Sequence, residues 1–467
     1  MHPYTPYTGI YYDSRKVQPG SIFVAISGTD SDGHDFIPTA IEAGASLIIA
    51  EREVTVAENV EIKIVADSRL ELARLSAKFY ANPQEKVDLL AVTGTNGKTT
   101  VTHLIQELLN DTALLGTMGL KTNPQEDYQD MGNTTPQSTE IYKVLAGLAD
   151  DSYKYLAMEV SSHALEQKRV AGLQYKAAIV TNLTQDHLDY HLTMDNYFAA
   201  KAKLLKQVSD YVLLNADDEY YSNFKVEAQG LKVVSFAINN AADYQASEIN
   251  YGAAGLSYKL LHQGQELGLV EMQLNGEFNV YNSLAAICLA LEEGNSFTDL
   301  QTKLAKIPAV AGRFEIIRTE TSPICIVDYA HSPDGLINVL KGARQLLPSD
   351  GKLICLFGCG GDRDITKRPK MGKIAYDMAD FSIVTSDNPR SEDPGQIIAD
   401  ILTGIPDLTK IKVIADRAEA IKQAVQDANS NDVVVVAGKG HEDYQILKTE
   451  TIHFDDREQV RTAISQH

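Results

Sequence analysis

The chain has 467 residues, 44% hydrophobic and 22% charged, with a formal charge of −21. That composition describes an ordinary globular protein, and acidity without any basic run argues against nucleic acid as a partner. There is no run of eighteen apolar residues to span a membrane, and an anionic substrate must be held by local basic pockets because the overall field repels it.

In chain order, the amino terminus lacks a basic region followed by an apolar stretch, so a cytoplasmic protein is expected. Apolar strand, polar loop and amphipathic helix then recur, which predicts α/β architecture with mainly parallel sheets. A helix over 68–80 ends before Asn82-Pro83, and a first domain boundary falls at 86/87. An apolar strand over 88–93 runs into Gly94-Thr95-Asn96-Gly97-Lys98-Thr99-Thr100. The helix that follows carries Val101, Leu104, Ile105, Leu108 and Leu109 on one face. Strand, glycine loop and helix form a phosphate cradle: backbone N–H groups hold phosphates, Lys98 reaches the outer ones, and the Thr99 hydroxyl can ligate Mg²⁺. The loop departs from the general pattern, since Val92 stands where the first glycine belongs and Gly94 comes two residues late.

Further strands end in polar residues, as expected where a ligand binds at the carboxyl edge of an open sheet. The strand over 155–158 leads into Glu159 and His163, and that over 177–180 into Asp186-His187. Glu159 and His187 are thus candidates for the metal and phosphate side of a site. His187 and His191 stand four apart, but Leu188 occupies the position that a zinc helix gives to glutamate, so that reading is rejected. A second boundary falls at 311/312, before a strand over 314–318. Beyond it, apolar segments over 354–357, 381–385 and 433–437 read as buried parallel strands. Their loops bring Arg363, Asp387, Arg390 and Glu442 toward one edge. Two guanidiniums and two carboxylates suit a zwitterionic ligand, or else pair among themselves as a structural network. The cysteines, Cys288, Cys325, Cys355 and Cys359, are too few and scattered for a disulfide framework.

The strings GTNGKTT (94–100), NTTP (133–136), EVSSHAL (159–165), TNLTQDHLDYH (181–191), GEFNVYN (276–282), GRFE (312–315), DYAHSPD (328–334), GCGGDRD (358–364), DNPR (387–390) and AGKGHEDYQ (437–445) together resemble the Mur ligases of bacterial cell-wall synthesis. The likeness runs in order over essentially the whole chain. The phosphate loop alone would also fit a folylpolyglutamate synthase.

The resemblance implies a UDP-substrate domain (1–86), a central ATP-binding domain (87–311) and a Rossmann-like amino-acid domain (312–467). It implies an ADP-forming ligase that activates the D-glutamyl carboxylate of a UDP-N-acetylmuramoyl dipeptide as an acyl phosphate and adds a third residue. Meso-diaminopimelate is the expected acceptor, because Arg390 offers a cation to a distal carboxylate; L-lysine is the alternative. By likeness, Glu159 and His187 serve Mg²⁺ with Thr99, and Lys201 matches a lysine carbamylated by CO₂. Without the likeness Lys201 reads as a solvated helix lysine, like Lys203 and Lys206. Asn282 and Arg313 are expected at the nucleotide, with Asp328 on the ATP side of the third domain, so that catalysis requires domain closure.

Tyr12, Ser14, Thr29, Asp30 and Ser31 are expected near uridine, although the segment before Asp13 is shorter than usual for the family. Asn133, Thr134, Thr135, Ser161, Gln167 and Arg169 should line the muramoyl-peptide path, and Arg363, Asp387, Asn388, Pro389, Arg390, Gly438 and Glu442 the amino-acid pocket. A monomer working on small molecules is the expectation. A catalytically silent regulator would be expected to lack Lys98, Glu159 or His187, and all are present.

Overall fold

The apolar run at Asp88–Thr93 has no polar face, and in the computed structural model, which describes residues 6–28, 31–54, 60–252 and 255–466, it lies at the heart of a ten-stranded sheet. Strand Tyr155–Glu159 pairs on one side and Tyr175–Val180 on the other, both parallel. Leu90 and Val92 enter one core with Val101, Leu104, Ile105 and Leu108 of the helix Lys98–Leu108, whereas Leu89 and Ala91 enter a second core on the opposite face. Both faces are therefore covered, as a parallel sheet requires. The three leucine and isoleucine side chains of that helix face are fully buried, each contributing about 1.5–3 kcal/mol.

Parallel pairing continues outward through Val208–Asn215, Lys232–Ala237 and Tyr244–Gly252. Beyond it the sheet turns antiparallel, through Gly255–His262 and Gln265–Met272. Alternation of buried and exposed residues in these last strands lets one face pack on helix Glu277–Glu292 while the other meets water.

A four-stranded parallel sheet precedes this domain, built from Ile10–Tyr11, Ile22–Val24, Leu47–Ala50 and Glu61–Ile64. The expected helix over 68–80 is Ser68–Phe79, capped by the Asp67 carboxylate, which accepts from Leu70 N at 2.9 Å. The chain then turns at Asn82, whose positive φ precedes Pro83.

The third sheet has six strands in the order Glu315–Ile317, Ile324–Asp328, Val433–Ala437, Leu353–Phe357, Phe381–Val384, Ile411–Val413, antiparallel only at the first pair. The three expected strands are present, the first beginning one residue earlier, at Leu353, and the second ending at Val384. The architecture is thus three α/β units with a mainly parallel central sheet. The four cysteines are buried free thiols, and among the described residues no helix is long and apolar enough to cross a membrane.

Candidate active site

Gly94 and Gly97 carry φ of +144° and +88°, and close packing also demands glycine at both. A Cβ on Gly94 would lie 1.9 Å from Thr181 Oγ1, and one on Gly97 2.3 Å from Asn282 Oδ1. The loop therefore sits tightly between the end of strand Tyr175–Val180 and helix Glu277–Glu292. Lys98 folds back over it, its Nζ donating to the carbonyls of Gly94 (3.0 Å) and Thr95 (2.9 Å). Burial lowers the Lys98 pKa, opposed by the charges of Glu159 and Asp186.

A cleft opens above this loop, lined by Thr95, Asn96, Gly97, Lys98, Thr99, Thr100, Thr117, Thr134, Glu159, Ser161, His187, Asn282, Arg313 and Asp328, among others. Glu159, wholly buried at its strand end, accepts from Thr117 N and Thr117 Oγ1, each at 3.0 Å. Thr134 and Thr117 share a hydroxyl hydrogen bond of 3.1 Å. His187 adopts a left-handed backbone, its N–H donating to Asp186 Oδ1 at 2.9 Å, and its ring packs edge-on against His163. Burial depresses its pKa. Hydroxyl and carboxylate oxygens with one imidazole are donors suited to Mg²⁺. Among the described residues no three His, Cys, Asp or Glu side chains form a metal cage, so a cation here would be completed by phosphate and water, its usual habit.

Lys201 stands apart from the cleft lining. It is 2% exposed, its Nζ donates to Gly94 O at 2.8 Å, and it lies 4.7 Å from the Tyr197 ring centroid. Burial, reinforced by the charge of Lys98, pushes its pKa well below the usual lysine value.

The third domain closes the cleft. Arg313 Nη2 donates to Thr99 Oγ1 at 3.1 Å, and its guanidinium lies 4.4 Å from the Tyr329 ring centroid. Asp328 accepts from Phe314 N (2.7 Å) and Ala330 N (2.8 Å); burial raises its pKa to about 6, with Arg313 pulling the other way. Asn282 Nδ2 donates to Asn279 Oδ1 at 2.9 Å. Asp334 Oδ2 accepts from Asn96 Nδ2 (2.8 Å) and Thr184 Oγ1 (3.1 Å) of the central domain, and from Asn338 Nδ2 (3.2 Å) of its own helix.

Along the expected peptide path, Thr135 Oγ1 donates to Glu159 O at 2.9 Å and accepts from Ser161 N at 3.0 Å. Arg169 donates to Thr135 O (2.8 Å) and Gln167 Oε1 (2.7 Å), while Asn133 is exposed. Tyr12 reaches across to Glu140 Oε1 at 3.1 Å; Ser14 is buried and Ser31 exposed. Thr29 and Asp30 lie outside the described residues.

At the edge of the third sheet, Arg363 and Arg390 flank Gly360, where a Cβ would lie 2.8 Å from Arg390 Nη1 and 3.9 Å from Arg363 Cγ. Arg390 Nη1 donates to Gly361 O at 2.8 Å, and a Cβ on Gly361 would strike the Pro389 carbonyl. Asn388 Nδ2 donates to Glu442 Oε2 at 2.9 Å. A Cβ on Gly438 (φ +123°) would lie 2.5 Å from Asp387 Oδ2 and 3.8 Å from Arg417 Nη2. Asp387 lies beside the buried Arg417–Asp456 pair.

Sequence reasoning missed Thr117, Asp334 and Lys439. Asp334 opens a helix at Ser332-Pro333, a visible start signal; Thr117, in a two-residue turn between short strands, carries no such signal.

Glycine loop, lysine, threonine and a cleft walled by two domains define a phosphate-loop nucleotide-binding protein. Mur ligase models match successive parts of it: the family's catalytic domain over residues 6–80, the middle domain over 92–290 and the glutamate ligase domain over 312–440. The UDP-N-acetylmuramoyl-L-alanyl-D-glutamate--2,6-diaminopimelate ligase of Syntrophomonas wolfei is 45% identical over 460 residues, covering 96% of this chain and 93% of that one. The chain belongs to the Mur ligase family. The ligase of the same name from Thermosynechococcus vestitus is 43% identical, covering 97% of this chain and 92% of its own. A solved structure of a ligase of that name superposes with a TM-score of 0.69 at 36% identity, covering 99% and 95%. A folylpolyglutamate synthase of Mycobacterium tuberculosis shares the fold, with a TM-score of 0.63 at 16% identity, covering 79% of this chain and 92% of that one.

Proposed function

We propose that the chain is an ATP-dependent, ADP-forming ligase that adds meso-diaminopimelate to the D-glutamyl carboxylate of UDP-N-acetylmuramoyl-L-alanyl-D-glutamate. The observation that carries this reading is full-length likeness, at 45% and 43% identity, to ligases named for that reaction. Residues 1–86 would bind the UDP end, 87–311 ATP, and 312–467 the acceptor. One chain supplies all three regions, so a monomer suffices, working in the cytoplasm where ATP is available.

In this mechanism Lys98 and Arg313 hold the γ-phosphoryl oxygens while a carboxylate oxygen bonds to phosphorus and the bond to ADP breaks. The acceptor nitrogen's lone pair then adds to the acyl carbon, the nitrogen sheds a proton to water, and the tetrahedral intermediate expels phosphate. Preorganised cations account for most of such a barrier reduction. Mg²⁺, when bound, supplies further neutralisation of the phosphoryl oxygens; Thr99, Glu159 and His187 would hold it. Lys201 is the residue we assign to carbamylation. Its depressed pKa favours the neutral amine, whose lone pair adds to the carbon of CO₂ while a proton is released to water, and the carbamate's oxygens suit a hard metal. Arg363, Asp387, Asn388, Pro389, Arg390, Gly438 and Glu442 would hold the acceptor.

The test is ADP release with UDP-muramoyl-dipeptide, ATP, Mg²⁺ and a panel of amino acids. Turnover with meso-diaminopimelate supports the reading. Turnover with L-lysine alone would change the acceptor, and turnover only with a folate would replace the function.

A further inference from the structure

Lysine is among the residues least often fully buried, yet the side chain of Lys439 has 0% exposure. Its ammonium donates to Glu442 Oε2 and to Asn388 Oδ1, each at 3.1 Å, and sits 5.4 Å from the Tyr444 ring centroid. The flanking glycines aim it inward. Gly438 and Gly440 both have positive φ, and a Cβ on Gly440 would strike Gly312 O at 2.6 Å.

We infer that Lys439 is a positioning residue for the acceptor amino acid, fixing Asn388 and Glu442 in the pose that receives its ammonium. The inference rests on the reading of the 387–390 and 438–442 loops as the acceptor pocket. Asn388 Oδ1 accepts from Lys439 Nζ and, at 2.9 Å, from Ile446 N, so the amide can face only one way. Its Nδ2 is thereby directed at Glu442 Oε2, 2.9 Å away. That carboxylate oxygen now has two donors. Glu442 Oε1 makes no hydrogen bond among the described residues and is the oxygen left for a ligand cation. Without the lysine, Ile446 N still holds the amide, but Glu442 Oε2 loses its charged donor and the carboxylate could swing to satisfy itself elsewhere.

The test uses the full-length protein and three variants, Lys439→Met, Lys439→Gln and Glu442→Gln, with turnover read as ADP release. Lys439→Met should raise KM for the acceptor by about tenfold or more, the scale set by leaving a site's polar groups unpaired. KM for ATP and for the UDP-dipeptide should stay within about twofold, as should acyl-phosphate formation trapped by hydroxylamine without acceptor. In a Glu442→Gln background, Lys439→Met should add little, because the two changes act through one carboxylate. An unchanged acceptor KM, an equal loss for all three substrates, or full additivity with Glu442→Gln would overturn the inference. So would failure of both Lys439→Met and Lys439→Gln to fold, which would make the lysine a staple. The acceptor used is whichever one the wild type turns over. Wild type inactive with every amino acid refutes the proposed function itself, whereas an active wild type with an indifferent Lys439→Met refutes only this role.

Discussion

Arg313→Gln removes a cation that links the phosphate loop to the third domain, and its cost divides into parts that different measurements read. The hydrogen bond to Thr99 and the stacking on Tyr329 exist without ligand; they are worth about 1 kcal/mol each, because the side chain is only partly buried. That part lowers the melting temperature by a few degrees at most. The larger part appears only when charge develops on the transferring phosphoryl group, where one preorganised donor is typically worth about 3–4 kcal/mol. Turnover should therefore fall about 10²- to 10³-fold at saturating substrates, measured as ADP release. Asp328 gives a second signature: it loses the cation that holds its pKa down, so its own titration should move upward from about 6. A variant with kcat within threefold of wild type, or one in which only KM for ATP changes, would refute the reasoning.

Lys98→Ala should abolish ADP release at saturating ATP, a loss of at least about 10³-fold; near-normal release would remove the phosphate-loop assignment. Lys201→Met should be inactive yet melt no lower than wild type, since it replaces a buried amine by an apolar chain, and acetate should partly revive Lys201→Ala; an active alanine variant would end the carbamate reading. Arg390→Ala should lose preference for meso-diaminopimelate over L-lysine, measured as the ratio of kcat/KM values; an unchanged ratio would place selectivity elsewhere. Asp328 holds its proton more tightly in the fold than its ordinary value of 3.8, so it favours folding when protonated, an advantage present below about pH 4 and lost as pH rises through about 6. Asp328→Asn should therefore gain on wild type in melting temperature between pH 4 and pH 8, by up to about 3 kcal/mol in stability; a constant difference would show that Asp328 titrates normally.

What the sequence makes legible is what short stretches determine. Asp88–Thr93 and Val433–Ala437 are apolar on both faces, and such segments have few places to go other than the interior of a parallel sheet. The phosphate loop is equally local, because its glycines and Lys98 act within one turn. Lys439 resembles any loop lysine until the partners that bury it arrive from Asn388, some fifty residues earlier in the chain. The antiparallel strands ending at Met272 escaped notice because their alternation is that of any half-exposed strand, whatever its direction.

The single carboxylate oxygen of Asp334 is bonded at once to the rim of the phosphate loop and to its own domain. Separating the third domain from the central one must therefore break the Asn96 and Thr184 bonds together, because one oxygen holds both.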